Sequence, residues 1–235
     1  MCPSRALRTT LANEDFRLLL RWWVGAPLVL ASDSTPCPLC GDYVDAFGDH
    51  IVTCRRNGPT ERHNAVRDAL FAACVQAGAP SRKEQGCEAG TRDADILLLA
   101  WNKGRHTAVD LVLEHALAPS RWPLNMSRVT STLPDAEGAK AARAADRCAR
   151  AGWDFQGAAF TLWGKPGPAA SSLLYRLQQV AHNGMHAADR DRSQLEFRQN
   201  FSLAFVRAVA RQLRLATRVQ DAGEHPGDTG AGPGQ

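Results

Sequence analysis

The chain has 235 residues, of which 44% are hydrophobic, and this length allows one sizeable core with a small accessory unit. Its 28 lysines and arginines exceed its 24 aspartates and glutamates, a mildly basic balance that is compatible with a polyanionic partner. The apolar segment 18–31 contains Arg21 and Pro27 and is shorter than the ~20 residues that cross a bilayer. No signal-peptide pattern follows Met1, and the cysteine count is odd, so we expect intracellular thiols rather than a disulfide framework.

Hydrophobic spacing and turn residues predict an alternation of helices and strands. Thr60 can cap a helix that Gly78 ends, and Asn102, Lys103 and Gly104 are typical of a hairpin turn. The C-terminal residues 221–235 are rich in Gly and Pro, lack aromatic residues and are expected to be disordered. The predicted elements are, in chain order, helices over 13–23 and 61–77, strands over 95–101 and 107–113, a helix over 134–151, a strand over 153–163, and helices over 173–181 and 194–219.

The segment CPLCGDYVDAFGDHIVTC carries the spacing of a zinc site. Thiolates and an imidazole separated in this way can close a tetrahedron around the ion, and Gly41 and Gly48 allow the chain to turn between them. The alternative is that ordinary buried thiols lie beside a surface histidine in a polar loop. A closed site of four ligands has no open position for a substrate, so we expect a structural zinc ion. The four candidate ligands are Cys37, Cys40, His50 and Cys54.

Two aspartates in the predicted hairpin form a candidate magnesium site. Asp95 begins the first strand, and Asp110 lies inside the second, so both carboxylates can meet across the strand pair. An acid within the apolar run around Asp110 is costly to bury unless it is paired or holds a metal ion. Glu84, which follows the preceding helix, could supply a third oxygen, and its alternative is a solvated loop residue.

A lysine near the acids would orient the attacking water and stabilise charge in the transition state of phosphodiester hydrolysis. Lys140, on the helix after the hairpin, is the first candidate, and Lys103 in the hairpin turn is its rival. Either residue could instead be a solvated surface lysine. On the same predicted helix, Arg143 and Arg147 continue a basic stripe that could follow phosphates, although solvated helix faces also have such stripes.

The succession CPLCG, FGDHIVTC, ERHNAVRDAL, RDADILL and AVDLVL resembles the C-terminal region of non-LTR retrotransposon polyproteins of the restriction-enzyme-like endonuclease type. The resemblance extends over residues 36–113 and more weakly to Trp163. In that family a reverse transcriptase precedes a Cys-Cys-His-Cys knuckle and a PD-(D/E)XK nuclease that nicks the chromosomal target. The resemblance therefore implies a detached nuclease module, because the residues before Cys37 are too few for a reverse transcriptase.

The resemblance assigns residues position by position. The knuckle falls on the four candidate zinc ligands, the acidic pair on Asp95 and Asp110, and the displaced lysine on Lys140. Two departures stand out: the usual proline before the first acid is replaced in Arg92-Asp93-Ala94-Asp95, and Ala144 stands where an aromatic residue is expected. The family's Arg-His-Asn element, implied to contact nucleic acid, falls on Arg62, His63 and Asn64, of which the histidine could instead cap or pack the helix.

Together these features predict an α/β protein in which a small zinc knuckle precedes a restriction-endonuclease-like core, with a central mixed sheet flanked by helices, and a helical C-terminus. The expected divisions are a helical linker (1–35), the knuckle (36–58), the nuclease core (59–168), C-terminal helices (169–220) and a disordered tail (221–235).

The first functional hypothesis is a magnesium-dependent DNA endonuclease with a structural zinc ion. The second is a catalytically decayed zinc-knuckle protein that only binds nucleic acid. A third, a zinc-stabilised interaction domain unrelated to DNA, leaves the acid at position 110 unexplained. The expected partner is DNA, with RNA as the alternative, and neither a membrane nor a small-molecule cofactor is expected. Nuclear residence follows from the expected substrate.

Overall fold

A computed structural model describes residues 10–29, 35–115, 117–118 and 132–217 of the chain. The C-terminal residues 221–235, the end of the last predicted helix at Val219 and part of the predicted linker lie outside these ranges. The helices and strands, in chain order, are α1 (Asn13–Trp23), α2 (Asp49–Thr53), α3 (Pro59–Gln76), β1 (Ser81–Gln85), β2 (Ala94–Asn102), β3 (Arg105–Glu114), α4 (Thr132–Arg150), β4 (Asp154–Thr161), α5 (Pro168–His182) and α6 (Ala187–Leu213).

The four strands form one mixed sheet in the order β1-β2-β3-β4. The pairs β1–β2 and β2–β3 are antiparallel, whereas β3 and β4 are parallel and are connected through α4. The predicted hairpin is confirmed as β2 and β3, and its turn places Lys103 and Gly104 at φ angles of 49° and 84°. The expected α/β class with a mixed sheet and a helical C-terminus is likewise confirmed.

The chain divides into two compact units. Of the described residues, the sheet unit contains Thr10 and those within 60–208, and the cysteine unit contains 11–29, 35–59 and 209–217. In the sheet unit, one face of the sheet packs against α3, α5 and α6, and the other packs against α4. The first face is centred on Ile96, Leu98, Val109, Leu111 and Phe160, all almost fully buried.

The face of the sheet toward α4 has a thinner core made largely of small residues. Ala108 of β3 packs there with Ala144 and Cys148 of α4, and Leu97 of β2 joins them. Small side chains on both surfaces let the helix approach the strands closely. This closeness determines which side chains of α4 can reach the strands.

The buried carboxylate of Glu137 fixes the N-terminal part of α4 to the start of α5. Its oxygens accept hydrogen bonds from three backbone N–H groups, those of Ala159 at 3.2 Å and of Ala169 and Ala170 at 3.0 Å. The last two belong to the first turn of α5, where N–H groups have no partner within the helix. Glu137 therefore caps α5 from a neighbouring helix, because Gly167, at the N-cap position, has no side chain to do so.

Strand β1 is the one element of the sheet that the sequence did not predict. Its residues, SRKEQ, lack the apolar and β-branched side chains that indicate strands, and the middle three are exposed. It is an edge strand, paired only with β2, so polar side chains can remain in water on it. Glu84, proposed as a third oxygen ligand with a solvated loop position as the alternative, thus lies in a strand and not in a loop.

The cysteine unit combines segments that are far apart in the sequence. Leu28, Val44, Ile51 and Leu213 are almost fully buried in it. The Asp15 carboxylate of α1 accepts two hydrogen bonds from the Arg214 guanidinium, at 2.7 and 2.8 Å. Thus the helix predicted as part of a linker and residues 209–217 belong to the same compact unit. Within the described ranges, none of the helices is both long enough and apolar enough to cross a membrane.

Candidate functional site

Three acids and a glycine form one row across the four strands. Asp110 pairs with Gly157 of β4, and Asp95 lies opposite Asp110, one step beyond the pair Ile96 and Val109. On the other side of Asp95, its neighbour in β1 is Glu84, because the residues that flank Glu84 pair with the residues that flank Asp95. Directly paired residues on neighbouring strands lie ~5 Å apart, so the backbone brings the three predicted acids next to one another.

Asp95 is held by contacts on both of its carboxylate oxygens. One oxygen lies 3.0 Å from Nε2 of His63, in the first turns of α3, and the other accepts the backbone N–H of Leu111 at 2.7 Å. The side chain of Asp95 is 12% exposed and that of His63 is 29% exposed. The sequence linked His63 to nucleic acid or to packing, and the structure places it against the first acid of the predicted pair.

Asp110 is paired with the lysine that the sequence named first. The Nζ atom of Lys140 lies 2.9 Å from each carboxylate oxygen of Asp110. The rival lysine, Lys103, lies in the turn, seven residues before Asp110, which corresponds to roughly 23 Å of extended strand. The structure therefore brings Lys140, and not Lys103, to the acids.

Gly157 allows Lys140 to reach Asp110. A Cβ atom at position 157 would lie 2.7 Å from the carbonyl oxygen of Glu137 and 3.2 Å from Cβ of Lys140. A side chain at position 157 would push α4 away from the sheet. A glycine inside a strand is a sequence signal for such a close approach of two backbones, and this signal was available at position 157.

The two aspartates have opposite pKa shifts. Burial, together with the nearby Asp95, raises the pKa of Asp110 to about 6, although Lys140 acts in the opposite direction. Burial also acts to raise the pKa of Asp95, but the contacts with His63 and with the Leu111 N–H outweigh it and hold that pKa below the ordinary value. Asp95 therefore keeps its negative charge at neutral pH, and Asp110 is the acid that takes up a proton first.

Glu84 is in the row, but its carboxylate is engaged elsewhere. One of its oxygens pairs with both Arg67 of α3 and Arg92 of the β1–β2 loop. Arg67 is buried, whereas Arg92 is largely exposed. Glu84 also has a φ angle of 54°, which is unusual for a residue other than glycine. Glu84 thus lies beside Asp95 in the row, while its carboxylate contacts the two arginines.

The residues predicted to contact nucleic acid have different surroundings. Arg62 and Asn64 lie with His63 at the start of α3 and are partly buried, and burial lowers the pKa of Arg62 to about 10, which leaves it charged at neutral pH. Arg143 is exposed on α4. Arg147 donates from Nε to the buried carboxylate of Asp93 at 3.0 Å, and that contact raises its pKa. Part of the Arg147 guanidinium thus stabilises the loop before β2.

Asp93 is a structural acid that the sequence did not single out as such. It is 4% exposed and accepts hydrogen bonds from the Thr91 hydroxyl at 2.6 Å and the Cys87 N–H at 3.1 Å, in addition to Arg147. These contacts outweigh burial and lower its pKa. Asp93 thereby organises the turn that leads into Asp95.

The four predicted zinc ligands meet in the cysteine unit. Their ligand atoms all lie within 4.8 Å of one another, with Cys37 Sγ 4.0 Å from Cys54 Sγ and Cys40 Sγ 3.3 Å from His50 Nε2. Ordinary zinc–sulfur and zinc–nitrogen bonds in a tetrahedron separate the ligand atoms by about 3.6–3.8 Å, so these distances fit the ion. The cluster can bind a metal ion such as zinc, and its side chains supply no open position.

Two residues of the intervening loop position His50. The Asp45 carboxylate accepts the N–H groups of Phe47 at 2.9 Å, Asp49 at 3.1 Å and His50 at 2.6 Å, and so caps the start of α2. Gly48, at the N-cap, has a φ angle of 86°, and a Cβ atom there would lie 2.6 Å from Cδ1 of Leu28. Asp45 therefore holds the short helix that carries His50 and that Cys54 directly follows.

No protein-family model, curated protein or solved structure matches the chain. The arrangement of the side chains is consequently the main basis for a functional proposal. Two groups qualify as sites: the row of acids with Lys140, which offers carboxylate oxygens and a cation, and the cysteine cluster, which offers a closed set of soft ligands.

Proposed function

We propose that the chain is a magnesium-dependent DNA endonuclease with a restriction-endonuclease-like core. The observation that carries the proposal is the pairing of Asp95 with Asp110 on adjacent strands, with Lys140 at the second acid. Two carboxylates beside a lysine are the groups that hydrolysis of a phosphodiester requires. The sequence resemblance to the nuclease region of non-LTR retrotransposons agrees with this assignment and gives DNA as the substrate.

Within this proposal the side chains have distinct roles. Asp95 and Asp110 would hold Mg²⁺, which supplies charge to activate a water molecule and to stabilise the leaving oxygen. His63 and the Leu111 N–H keep Asp95 ionised and oriented. Lys140 would position the water and balance the negative charge that develops on the phosphate. Glu84 would assist only after releasing one of its two arginine partners.

The remaining residues would bind the nucleic acid and organise the fold. Arg62, Asn64 and Arg143 are the proposed phosphate contacts, and Arg147 would contribute those donors that Asp93 does not occupy. His63 would be shared between this surface and the acids. The zinc ion would be structural, and nuclear residence remains the expectation for a protein that acts on chromosomal DNA.

The second candidate function is a nucleic-acid-binding protein that has lost catalysis. One observation favours it: every acid of the row already has a basic partner, since Lys140 contacts both oxygens of Asp110 and two arginines contact Glu84. Such pairs satisfy the buried charges without a divalent ion. Direct magnesium binding therefore discriminates between the two candidates.

The test is nicking of supercoiled plasmid by zinc-loaded protein in the presence of Mg²⁺. The wild-type chain is compared with Asp95→Ala and Asp110→Ala, and the matched control is Asp154→Ala, an acid on β4 that pairs with Arg105 at the other end of β3. Circular dichroism and thermal unfolding confirm that all variants are folded. The proposal predicts that nicking is lost in the first two variants and retained in the control.

Binding experiments on the same proteins complete the test. Mn²⁺, used as a spectroscopic probe for Mg²⁺, should bind the wild type and bind both row variants more weakly. Equal nicking by all variants would assign the activity to a contaminant and overturn the proposal. If the wild type binds DNA but neither nicks it nor binds Mn²⁺, the second candidate is established.

A further inference from the structure

Cys87 and Cys148 form a pair of thiols that neither the metal cluster nor the row of acids uses. Their Sγ atoms lie 2.8 Å apart although 61 positions separate them in the sequence. A disulfide bond is about 2.05 Å long, so the two sulfur atoms need to approach by less than one ångström. Cys148 of α4 is fully buried, whereas Cys87 in the β1–β2 loop is partly exposed.

Further contacts hold the two sulfur atoms in register. On either side of the pair, Arg147 donates to Asp93 and Arg150 pairs with Glu88 at 3.3 Å. The Asp93 carboxylate also accepts the N–H of Cys87 itself. Residues 87–93 thus contact the last turns of α4 at three positions of the helix. Along α4, the thiol of Cys148 lies between the two arginines that hold the loop.

A metal site explains this pair less well. Among the residues that the structure describes, the cluster of Cys37, Cys40, His50 and Cys54 is the only group of three or more side chains placed to hold a metal ion. Cys87 and Cys148 have no comparable set of further ligands around them. Burial, the neighbouring Cys148 and Asp93 raise the pKa of Cys87 to about 12, so the pair rests as two thiols.

We propose that Cys87 and Cys148 are a site of reversible thiol modification that forms an intramolecular disulfide by exchange with a small disulfide such as oxidised glutathione. The thiolate of Cys87 attacks one sulfur of the oxidant, whose S–S bond breaks, and one glutathione leaves as a thiol. The thiolate of Cys148 then attacks the Cys87 sulfur and displaces the second glutathione. The two cysteines lose two electrons and two protons, and the oxidant becomes two thiols.

The order of these steps follows from exposure. Of the two thiols, Cys87 is partly exposed and Cys148 is buried, so the oxidant meets Cys87 first, and Cys148 then lies next to the mixed disulfide. The product would covalently connect the loop that precedes Asp95 with the helix that carries Lys140. This inference is independent of the proposed nuclease, because its readouts are chemical and do not require activity.

The experiment treats zinc-saturated wild-type protein with oxidised glutathione at mildly alkaline pH. Remaining thiols are then alkylated under denaturing conditions, and peptides are mapped by mass spectrometry without reduction. We expect one cross-linked species that joins the peptides of Cys87 and Cys148, that is lighter by two hydrogen atoms, and that a thiol reductant reverses. The midpoint of thermal unfolding should rise by roughly 10 °C, because the bond closes a long loop.

Variants test the order of attack. Cys148→Ala should retain glutathione on Cys87, and Cys87→Ala should leave Cys148 reduced, whereas the control Cys74→Ala, buried in α3, should cross-link like the wild type. The proposal is overturned if folded wild-type protein keeps both thiols free to alkylation, or if it retains glutathione on Cys87 without forming the bond. A cross-link from Cys87 to any other cysteine would also overturn it.

Discussion

Lys140 donates from its ammonium group to both carboxylate oxygens of Asp110, at 2.9 Å each. The two side chains are 25% and 22% exposed, so the pair is partly shielded from water and still open to a small ion or a phosphate. The lysine neutralises the acid. In the proposed nuclease, the same ammonium group would be near enough to a phosphate at this site to stabilise the charge that develops on it.

Replacement of this lysine should separate catalysis from metal binding. In Lys140→Met we expect the nicking rate to fall by about 100-fold or more, as when one charge-stabilising donor is removed from an active site. Mn²⁺ binding should persist, because both aspartates remain. The control is Lys103→Met in the hairpin turn, which should nick like the wild type. Loss of nicking in Lys103→Met but not in Lys140→Met would show that Lys103, and not Lys140, has this role.

The raised pKa of Asp110 predicts a pH-dependent cost in stability. A carboxyl group whose pKa is about 6 in the folded state, against an ordinary 3.8, stabilises the fold at low pH, and this contribution is lost as the pH rises through 6. Asp110→Asn has no such titration. In zinc-loaded protein without Mg²⁺, the variant should gain up to about 3 kcal/mol relative to the wild type between pH 4 and pH 8. Denaturant unfolding measures the difference, and a constant difference would contradict the prediction.

Two glycine substitutions probe the closeness of α4 to the sheet. Gly157→Ala introduces a Cβ atom 2.7 Å from a carbonyl oxygen of α4, and we expect it to reduce the free energy of unfolding by about 1–3 kcal/mol. The control is Gly138→Ala within α4, where a Cβ atom meets nothing within 4 Å. That variant should be more stable by about 0.5–1 kcal/mol, since alanine is the better helix residue. Equal stabilities in thermal and denaturant unfolding would argue against a tight helix–sheet contact.

Removal of one ligand should abolish the metal site. Cys40→Ala should weaken zinc binding by more than about 100-fold, since loss of an outer hydrogen-bond partner alone costs 10–100-fold. Without the ion, residues 35–58 should become sensitive to proteases. Cys74→Ala is the matched control, because Cys74 is buried in the core of the sheet unit and is not one of the four ligands. Full zinc content in Cys40→Ala, measured by atomic absorption, would exclude this cluster as the zinc site.

The carboxylate of Glu137 should be one of the most sensitive buried groups. Glu137→Ala would leave three backbone N–H groups without their acceptor, and we expect a loss of about 2–4 kcal/mol in the free energy of unfolding. Glu196→Ala, an exposed acid that pairs with Arg192 on α6, should change stability by less than about 1 kcal/mol. Similar losses in both variants would show that the cap contributes little.

The sequence predicted the parts of the sites that depend on local patterns. The spacing of the cysteines and His50 places four ligands within a short segment, and the hairpin brings Asp95 opposite Asp110 through strand alternation alone. The approach of Lys140 also follows from local order, since its helix comes next in the chain. In each case neighbouring elements pack together, and no distant segment has to be known.

Contacts between distant segments could not be read in this way. The His63–Asp95 contact, the pairing of Arg67 with Glu84 and the cap formed by Glu137 all depend on how α3 and α4 pack on the sheet. Strand β1 has no apolar pattern, and it becomes a strand only because β2 offers it an edge. Periodicity describes a side chain's own element and does not identify its partner across the core.

The hydrogen bonds between Asp15 and Arg214 join residues 199 positions apart, and Asn57 and Gln212 bond across 155 positions. By contrast, the four metal ligands emerge from the ribosome within a short stretch, so a metal ion can be captured early in synthesis. The cysteine unit cannot close until Arg214 has been translated, and this is only six residues after Ala208, the last residue of the sheet unit. The four ligands are therefore present in the growing chain long before the segment that completes their unit.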